Sequence, residues 1–213
     1  MNKIIISNLS KKIAGNVILD GIDLELESGK IYGLHGKNGS GKTMLMRAIC
    51  GLLIPDEGTV VINGKTLHKD ISVPESIGAL IENPSFLPEY TGMKNLKLLA
   101  SLKGKIGEEE IRLALSRVCL DPDDKRIYRK YSLGMRQKLG IANAIMGEPE
   151  IIILDEPINA LDEASVEDVK KCLSDLKEKG KLIIIACHDT EELELLSDVI
   201  FELDQGRLEK RVK

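Results

Sequence analysis

The chain has 213 residues, of which 43% are hydrophobic, enough for one domain with a sizeable core of its own. Its 30 Lys and Arg residues and 34 Asp and Glu residues give a net charge of -4, which argues against a nucleic-acid partner. Its apolar stretches are far shorter than the roughly 20 residues that span a bilayer, and no signal-peptide pattern follows Met1, so we expect a cytoplasmic protein without a membrane span.

The first predicted element is a strand from Ile22 to Leu26, in which apolar and acidic residues alternate. This period of two is typical of a half-buried strand, and Ser28-Gly29-Lys30 then predicts a turn. A short apolar run, Ile31 to Leu34, follows the turn and predicts a second strand. The beginning of the chain is therefore predicted to be rich in strands.

A glycine-rich loop separates this apolar run from a helix-forming run, Met44 to Cys50. The loop matches the pattern G-x-x-x-x-G-K-[ST] and consists of Gly36, Lys37, Asn38, Gly39, Ser40, Gly41, Lys42 and Thr43. Its glycines let backbone N–H groups point at phosphate oxygens, and the helix adds the positive end of its dipole. We expect Lys42 to reach the β- and γ-phosphates and the Thr43 hydroxyl to bind Mg²⁺. A glycine-rich turn without a ligand is the alternative, but the flanking strand and helix argue against it.

The middle of the chain passes from strands to helices. An antiparallel layer is predicted from a turn at Pro55 to Gly58, a strand from Thr59 to Ile62 and a hairpin signal at Asn63-Gly64. Another strand is predicted from Ile77 to Ile81. Helical spacing of apolar residues then predicts helices over Met93 to Leu102 and Glu108 to Leu120, and a third helix begins at Ser132, which can cap it.

The final third of the chain alternates strands and helices, which is typical of a parallel α/β sheet. The predicted order is a strand from Ile151 to Leu154, a helix from Ala164 to Lys179, a strand from Leu182 to Ala186 and a helix from Thr190 to Ser197. The strand Val199 to Leu203, the turn Asp204-Gln205-Gly206 and the segment from Arg207 onward predict a closing hairpin.

Two adjacent carboxylates, Asp155 and Glu156, follow the continuous apolar run Ile151 to Leu154. A buried strand that exposes acids only at its carboxyl end is where an open α/β sheet places ligand chemistry. We expect Asp155 to hold Mg²⁺ and Glu156 to accept a proton from, or orient, a water that attacks the γ-phosphate. Two acids that merely begin a loop are the alternative reading.

Together these motifs resemble the ATP-binding cassette (ABC) family, and the resemblance covers almost the whole chain. Ser132 and Gly134 match the family's signature sequence, although Leu133 replaces a glycine between them. The segment Asn159 to Asp162 resembles the D-loop, and His188 resembles the histidine that hydrogen-bonds the γ-phosphate. In the family, the signature serine and glycine bind a γ-phosphate held by the partner subunit, so we expect the same of Ser132 and Gly134.

Two positions depart from the family's pattern. Glu82 stands where the family usually has a glutamine that meets Mg²⁺ and the attacking water, and a carboxylate there adds negative charge. Ile13 stands where the family commonly has an aromatic residue that stacks on adenine. The segment Ile77 to Glu82 is similar to ABC subunits that export lantibiotics and bacitracin-like peptides or confer immunity to them; a general exporter subunit with an independently acquired Glu is the alternative.

The resemblance implies an α/β fold, with a P-loop NTPase (RecA-like) core, an N-terminal antiparallel β layer and an inserted α-helical subdomain. It divides a single ABC ATPase domain into a nucleotide-binding core, residues 1–82 and 148–213, and a helical subdomain, residues 83–147. It also implies ATP and Mg²⁺ as cofactors, a head-to-tail dimer of two copies or with a paired ABC subunit, and a membrane permease as the partner at the inner face of the membrane. A soluble ABC-type ATPase without a transport role is the alternative.

Overall fold

The computed structural model describes residues 2–82, 85–104 and 106–211, and Asn83 and Pro84, which follow Glu82, lie outside them. The strands in these ranges form two sheets. The first is antiparallel, has the order β2-β1-β4-β5, and consists of β1 (Lys3–Ile13), β2 (Asn16–Glu27), β4 (Glu57–Ile62) and β5 (Lys65–Thr66). The predicted hairpin at Asn63-Gly64 is confirmed, because β4 and β5 pair across it and both residues have positive φ.

The predicted turn at Pro55 to Gly58 is only half right, because β4 begins at Glu57. Gly58 has a φ of 82° and lies in the strand, where the pairing of β1 with β4 shifts register between Ser7 and Ser10. A Cβ atom at Gly58 would lie 2.2 Å from the carbonyl oxygen of Asn8. The glycine therefore permits a bulge between two strands rather than a turn before one.

The second sheet has the order β10-β9-β3-β8-β7-β6 and is parallel except at its β10 edge. Its strands are β3 (Lys30–His35), β6 (Ile77–Leu80), β7 (Ile151–Asp155), β8 (Leu182–Cys187), β9 (Val199–Asp204) and β10 (Arg207–Arg211). Every residue of β7 and β8 is buried, as their continuous apolar sequences predict. Because β3, β7 and β8 run parallel, their carboxyl ends meet at one edge of the sheet.

Six α-helices are present in the described part of the chain: α1 (Lys42–Ile49), α2 (Gly92–Lys103), α3 (Glu108–Arg117), α4 (Leu133–Ile145), α5 (Glu163–Glu178) and α6 (Thr190–Leu196). The chain between β6 and β7 contributes α2, α3 and α4. Helix α3 ends three residues before the predicted Leu120, because Cys119 has a positive φ and breaks the helical path. No helix in the described ranges is long and apolar enough to cross a bilayer.

The core lies on both faces of the parallel sheet. Ile151 and Ile153 of β7 belong to the cluster that includes α1 and the antiparallel sheet, whereas Ile152 and Leu154 belong to the cluster with α2 to α6. This alternation follows from the period of two in a strand, and it leaves only the strand ends available for polar groups. The predicted fold class, an α/β core with an antiparallel layer, is confirmed.

Candidate functional site

The glycine-rich loop connects β3 to α1 at the carboxyl edge of the parallel sheet. Gly41 occupies the N-cap position of α1 with a φ of 110°, and no side chain caps this helix. The backbone N–H groups of the first helical turn therefore keep their capacity to bind an anion. A Cβ atom at Gly41 would lie 2.7 Å from the carbonyl oxygen of Ile18, so only glycine fits the close approach of loop and β2.

An open cleft of about 320 Å³ lies over this loop. It is lined by Ile18, Asn38, Gly39, Ser40, Gly41, Lys42, Thr43, Met44, Asp155 and Glu156. Most of the predicted loop residues and both predicted acids therefore face one space. Gly36 and Lys37 are not among these lining residues, but their carbonyl oxygens lie behind the loop and contact Lys42.

Lys42 is the most deeply placed cation of the cleft, and only 7% of the residue is exposed. Its Nζ atom donates to the carbonyl oxygens of Gly36, at 2.5 Å, and Lys37, at 3.2 Å. Three donors on one ammonium group allow it to keep these contacts while it meets a further oxygen. The ammonium group thus lies within the loop and keeps a third donor for an anion that the loop binds.

Thr43 and Asp155 bring two oxygen ligands together across 112 residues of sequence. The Thr43 hydroxyl donates to Oδ2 of Asp155 at 2.8 Å. Asp155 ends β7 and only 8% of it is exposed, so its carboxylate is held by the strand rather than by a mobile loop. A hydroxyl and a carboxylate form the hard oxygen set that Mg²⁺ prefers, and this pair therefore fits that ion.

Glu156 and His188 form the second polar pair of the site. The Nδ1 atom of His188 lies 2.9 Å from Oε2 of Glu156. An ionised carboxylate only accepts hydrogen bonds, so beside it the ring carries a proton on Nδ1 and presents Nε2 away from the pair. The His188 side chain is 56% exposed.

The backbone of Glu156 is fixed from two sides. Its φ is 49°, an uncommon value for a residue other than glycine, and its N–H donates to the carbonyl oxygen of Ala186 at 2.9 Å. Its carbonyl oxygen accepts from Nε2 of Gln137 on α4 at 2.8 Å. No local sequence pattern assigns Gln137 a role, although Gln137 belongs to the same segment as Ser132 and Gly134. The contact ties the position of the acid to a helix of the 83–147 segment.

Cys187 lies directly beside this pair but differs from it in chemistry. Burial raises the pKa of the Cys187 thiol to about 12, and its Sγ atom donates to Oε2 of Glu192 at 3.3 Å. Its sulfur and the ligand atoms of Glu156 and His188 lie within 4.8 Å of one another. Because the thiolate is the nucleophile and the metal ligand, a thiol held neutral by burial is a poor candidate for either role.

Ser132 and Gly134 lie outside the cleft. Ser132 is exposed at the N-cap of α4, and its Oγ atom accepts from the N–H of Met135 at 3.2 Å. A Cβ atom at Gly134 would lie 3.3 Å from the carbonyl oxygen of Ala160, so this helix start borders the predicted D-loop. Leu133 between them is 67% exposed. Within one chain the structure does not bring Ser132 and Lys42 together.

Glu82 and Ile13 are also not among the lining residues of the cleft. Glu82 has a φ of 60°, and its Oε1 atom accepts from Nη2 of Arg47 on α1 at 2.7 Å. Ile13 ends β1 at the tip of a hairpin and is 41% exposed. Ile18 of the same hairpin does line the cleft beside the phosphate loop. The alternation of residues along β2 did not by itself predict a role for Ile18.

Comparison with known proteins gives one consistent result. The profile of a family described as "ABC transporter" matches residues 19–159. The chain is 47% identical over 206 residues to an uncharacterized ABC transporter ATP-binding protein, YybJ of Bacillus subtilis. This match covers 97% of this chain and 94% of that protein. It is 40% identical over 207 residues to the bacitracin transport ATP-binding protein BcrA of Enterococcus faecalis, covering 96% of this chain and 67% of that protein.

A solved structure described as the ATP binding subunit of an ABC transporter superposes on the chain with a TM-score of 0.87. The two sequences are 26% identical, and the match covers 98% of this chain and 89% of that one. The likeness therefore extends over both sheets and the helices between them.

Proposed function

Because the chain belongs to the ABC transporter family and is an ATP-binding, ATP-hydrolysing subunit of that family, we propose that it drives a separate membrane permease for a bacitracin-like peptide antibiotic. The work of the permease would be export of the peptide or immunity to it. The peptide class is supported by the 40% identity to a bacitracin transport ATP-binding protein. The observation that carries the ATPase chemistry is the convergence of Lys42, the Thr43–Asp155 pair and the Glu156–His188 pair on one edge of the sheet.

In the proposed site, the triphosphate of ATP lies on the loop from Gly36 to Thr43. The free N–H groups at the start of α1 and the ammonium group of Lys42 neutralise its charge. Thr43 and Asp155 would hold Mg²⁺, which when bound polarises the phosphate oxygens. Glu82 is proposed as a further contact to the ion, made when its carboxylate leaves Arg47.

Glu156 is proposed as the general base. Its carboxylate takes a proton from the attacking water, whose oxygen forms a bond to the γ-phosphorus while the bond to the bridging oxygen of ADP breaks. His188 orients that carboxylate through Nδ1–H, and its Nε2 atom donates to the γ-phosphate when the ring carries a second proton. Two backbone hydrogen bonds hold the base in place during this step. The carbonyl oxygen of Glu156 accepts from Gln137, and its N–H donates to Ala186.

The cleft contains only half of the proposed site. Ser132, exposed at the N-cap of α4, and the half-buried Gly134 in its first turn are proposed to cover the γ-phosphate bound by a second subunit in a head-to-tail dimer. ATP would therefore close the dimer, and phosphate release would reopen it. We further propose that residues 1–82 and 148–213 form the nucleotide-binding core and that residues 83–147 form a subdomain that moves with the permease. Through the permease the subunit would sit at the cytoplasmic face of the membrane.

The substitution Glu156→Gln tests the proposed base. It should reduce turnover by at least about a hundredfold while ATP still binds, because only proton acceptance is lost. The ATP-bound dimer should then accumulate, and gel filtration with and without ATP measures it. Turnover at the wild-type rate would show that another group acts as the base.

Transport of a peptide antibiotic is tested separately from hydrolysis. The chain should co-purify with a multi-span membrane protein from its own organism, and the two together should raise the bacitracin resistance of a sensitive strain. The Glu156→Gln variant with the same permease is the matched control and should give no resistance. An active ATPase that co-purifies with no membrane protein would instead support a soluble, non-transport role.

A further inference from the structure

His35 occupies a junction between the two catalytic segments of the chain. It is the last residue of β3, directly before Gly36, the first residue of the phosphate loop. In the parallel sheet its register partner on β8 is Cys187, which directly precedes His188, and its partner on β9 is Glu202. A single imidazole thus stands between the loop that binds phosphate and the segment that carries His188.

The side chain of His35 contacts the segment after His188. Its Nε2 atom lies 3.0 Å from Oγ1 of Thr190, the first residue of α6. Its Nδ1 atom is buried, makes no hydrogen bond to any described residue, and lies 3.5 Å from Oε1 of Glu202. Only 19% of the side chain is exposed, so these contacts form beneath the surface.

The charge of a neighbouring carboxylate favours one direction for the hydrogen bond between His35 and Thr190. An ionised carboxylate at Glu202 favours the proton on Nδ1, which leaves the lone pair on Nε2 to accept from the Thr190 hydroxyl. Cys187 beside the ring does not compete as an anion, because burial raises the pKa of its thiol to about 12. The hydroxyl of Thr190, rather than its methyl group, is therefore the functional part of that side chain.

The segment from His188 to Thr190 is short and connects β8 to α6. Asp189 caps α6 by accepting from the N–H of Glu192 at 3.1 Å, and the His188 ring contacts Glu156 while 56% of it stays exposed. The hydrogen bond between Thr190 and His35, called the tether below, fixes the end of this segment that is farther from β8. Without it, the segment loses a side-chain hydrogen bond to β3 directly beside the phosphate loop.

We propose that His35 is a positioning residue for His188: through Thr190 it holds the 188–190 segment in the place where His188 meets Glu156. The inference rests on the proposed role of His188 and adds the residues that set its position. It assigns no contact between His35 and the nucleotide. Loss of the tether therefore lowers the rate of turnover and leaves ATP binding intact.

Thr190→Val and Thr190→Ser form the matched pair for the experiment on the full chain. Valine keeps the branched shape but removes the hydroxyl, and serine keeps the hydroxyl. Thr190→Val should lower kcat about tenfold, the effect of one misplaced hydrogen bond, with KM for ATP within about twofold of wild type. Thr190→Ser should recover most of the rate. His35→Leu should lower kcat to the same extent, and the double variant should be no slower than either single variant, since both remove the same contact.

The imidazole resonances of the three histidines provide a readout independent of activity. Thr190→Val should shift the signals of His35 and His188 and leave that of His68 unchanged. His68 is an exposed histidine whose Nε2 atom lies 3.3 Å from the carbonyl oxygen of Leu53, so His68→Leu also serves as the control for kcat.

The outcomes separate this inference from the proposed function. Wild-type turnover in His188→Ala would refute the role of His188 in the proposed function. An inactive His188→Ala together with unchanged kcat and unchanged His188 signals in Thr190→Val would overturn the positioning role of His35. A raised KM in His35→Leu, or additive losses in the double variant, would overturn it as well, by showing that His35 acts on the phosphate loop. Should His35→Leu fail to fold, the two Thr190 variants still decide.

Discussion

At the level of single residues, Glu82 shows how the chain manages an added negative charge. Its carboxylate is paired with Arg47 at 2.7 Å, but the two side chains are 59% and 34% exposed. An exposed ion pair of this kind contributes only about 0–1 kcal/mol. Glu82 can therefore leave Arg47 at little cost, which suits a carboxylate proposed to exchange between an arginine and a metal ion.

Arg47→Met tests this exchange, because methionine keeps the helix and the length of the side chain but frees Glu82. We expect the Mg²⁺ concentration for half-maximal ATPase activity to fall about two- to fivefold, since an ion pair of up to about 1 kcal/mol no longer competes. The same substitution in a Glu82→Gln background is the control and should change nothing. An equal effect in both backgrounds would exclude the exchange.

Ile13→Tyr tests the proposed adenine contact. A tyrosine that stacks on the base should tighten ATP binding by about 0.5–1.5 kcal/mol, or about two- to tenfold in Kd, measured by calorimetry. Val17→Tyr, in the same hairpin and 47% exposed, is the matched control and should leave Kd unchanged. Equal affinities for wild type and Ile13→Tyr would instead favour Ile18, which lines the cleft, as the residue nearest the base.

At the level of elements, Glu148 connects two helices to the loop before β7. Its carboxylate accepts from Arg117 at the end of α3 and from Lys179 at the end of α5, the latter at 2.9 Å. Hydrogen bonds from Lys179 and Arg117 lower the pKa of Glu148 from 4.5 to about 2. The carboxylate is thus bound most strongly in its charged form, which fixes the ends of two elements against the sheet.

Glu148→Gln should therefore destabilise the fold in a pH-dependent way. A pKa lowered in the folded state stabilises the protein fully above the ordinary value of 4.5, and this contribution is lost as pH falls from 4.5 toward 2. With about a third of the side chain exposed, solvent screening limits the loss at pH 7 to about 1 kcal/mol. Urea unfolding at pH 7 and at pH 3 should show a smaller difference between wild type and variant at the lower pH.

Glu89→Gln is the control for that measurement, because the pair of Glu89 with Arg129 is exposed on both sides, at 60% and 65%. It should change the free energy of unfolding by less than about 0.5 kcal/mol at either pH. A Glu148→Gln difference that is equally large at pH 7 and pH 3 would contradict the role of its charge.

At the level of the whole molecule, the described chain presents the cleft and the proposed second half of the site on different surfaces. The phosphate loop and the acids share the cleft, whereas Ser132 and the 67% exposed Leu133 stand apart at the start of α4. An exposed leucine beside an exposed helix start is consistent with a surface that a second copy covers. In the proposed dimer this arrangement makes hydrolysis a property of two subunits rather than one.

Ser132→Asp and Ser132→Asn distinguish a dimer contact from a helix cap. Both replacements cap α4 as well as serine does, but aspartate places a negative charge against the partner's γ-phosphate. In a Glu156→Gln background, Ser132→Asp should abolish ATP-dependent dimerisation on gel filtration while ATP binding to the monomer stays within about twofold. Ser132→Asn should still dimerise; dimers of the aspartate variant would remove Ser132 from the interface.

The sequence by itself determined the elements and the chemistry that follow local patterns. The continuous apolar run before Asp155 predicted a buried strand with acids at its end, and β7 is that strand. The loop from Gly36 to Thr43 predicted a strand, a turn of glycines and a helix, which is the observed order. Such features depend on residues within a few positions of one another, since the periods of strand and helix are set by the backbone.

Only the tertiary structure decided which distant residues meet. Thr190 lies 155 residues from His35, and Arg47 lies 35 residues from Glu82, yet each pair forms a hydrogen bond. The second half of the predicted turn at Pro55 to Gly58 is instead a bulge in the pairing of β4 with β1. Strand order, register and helix packing fix these contacts, and they depend on the burial of whole sheet faces rather than on any local sequence pattern.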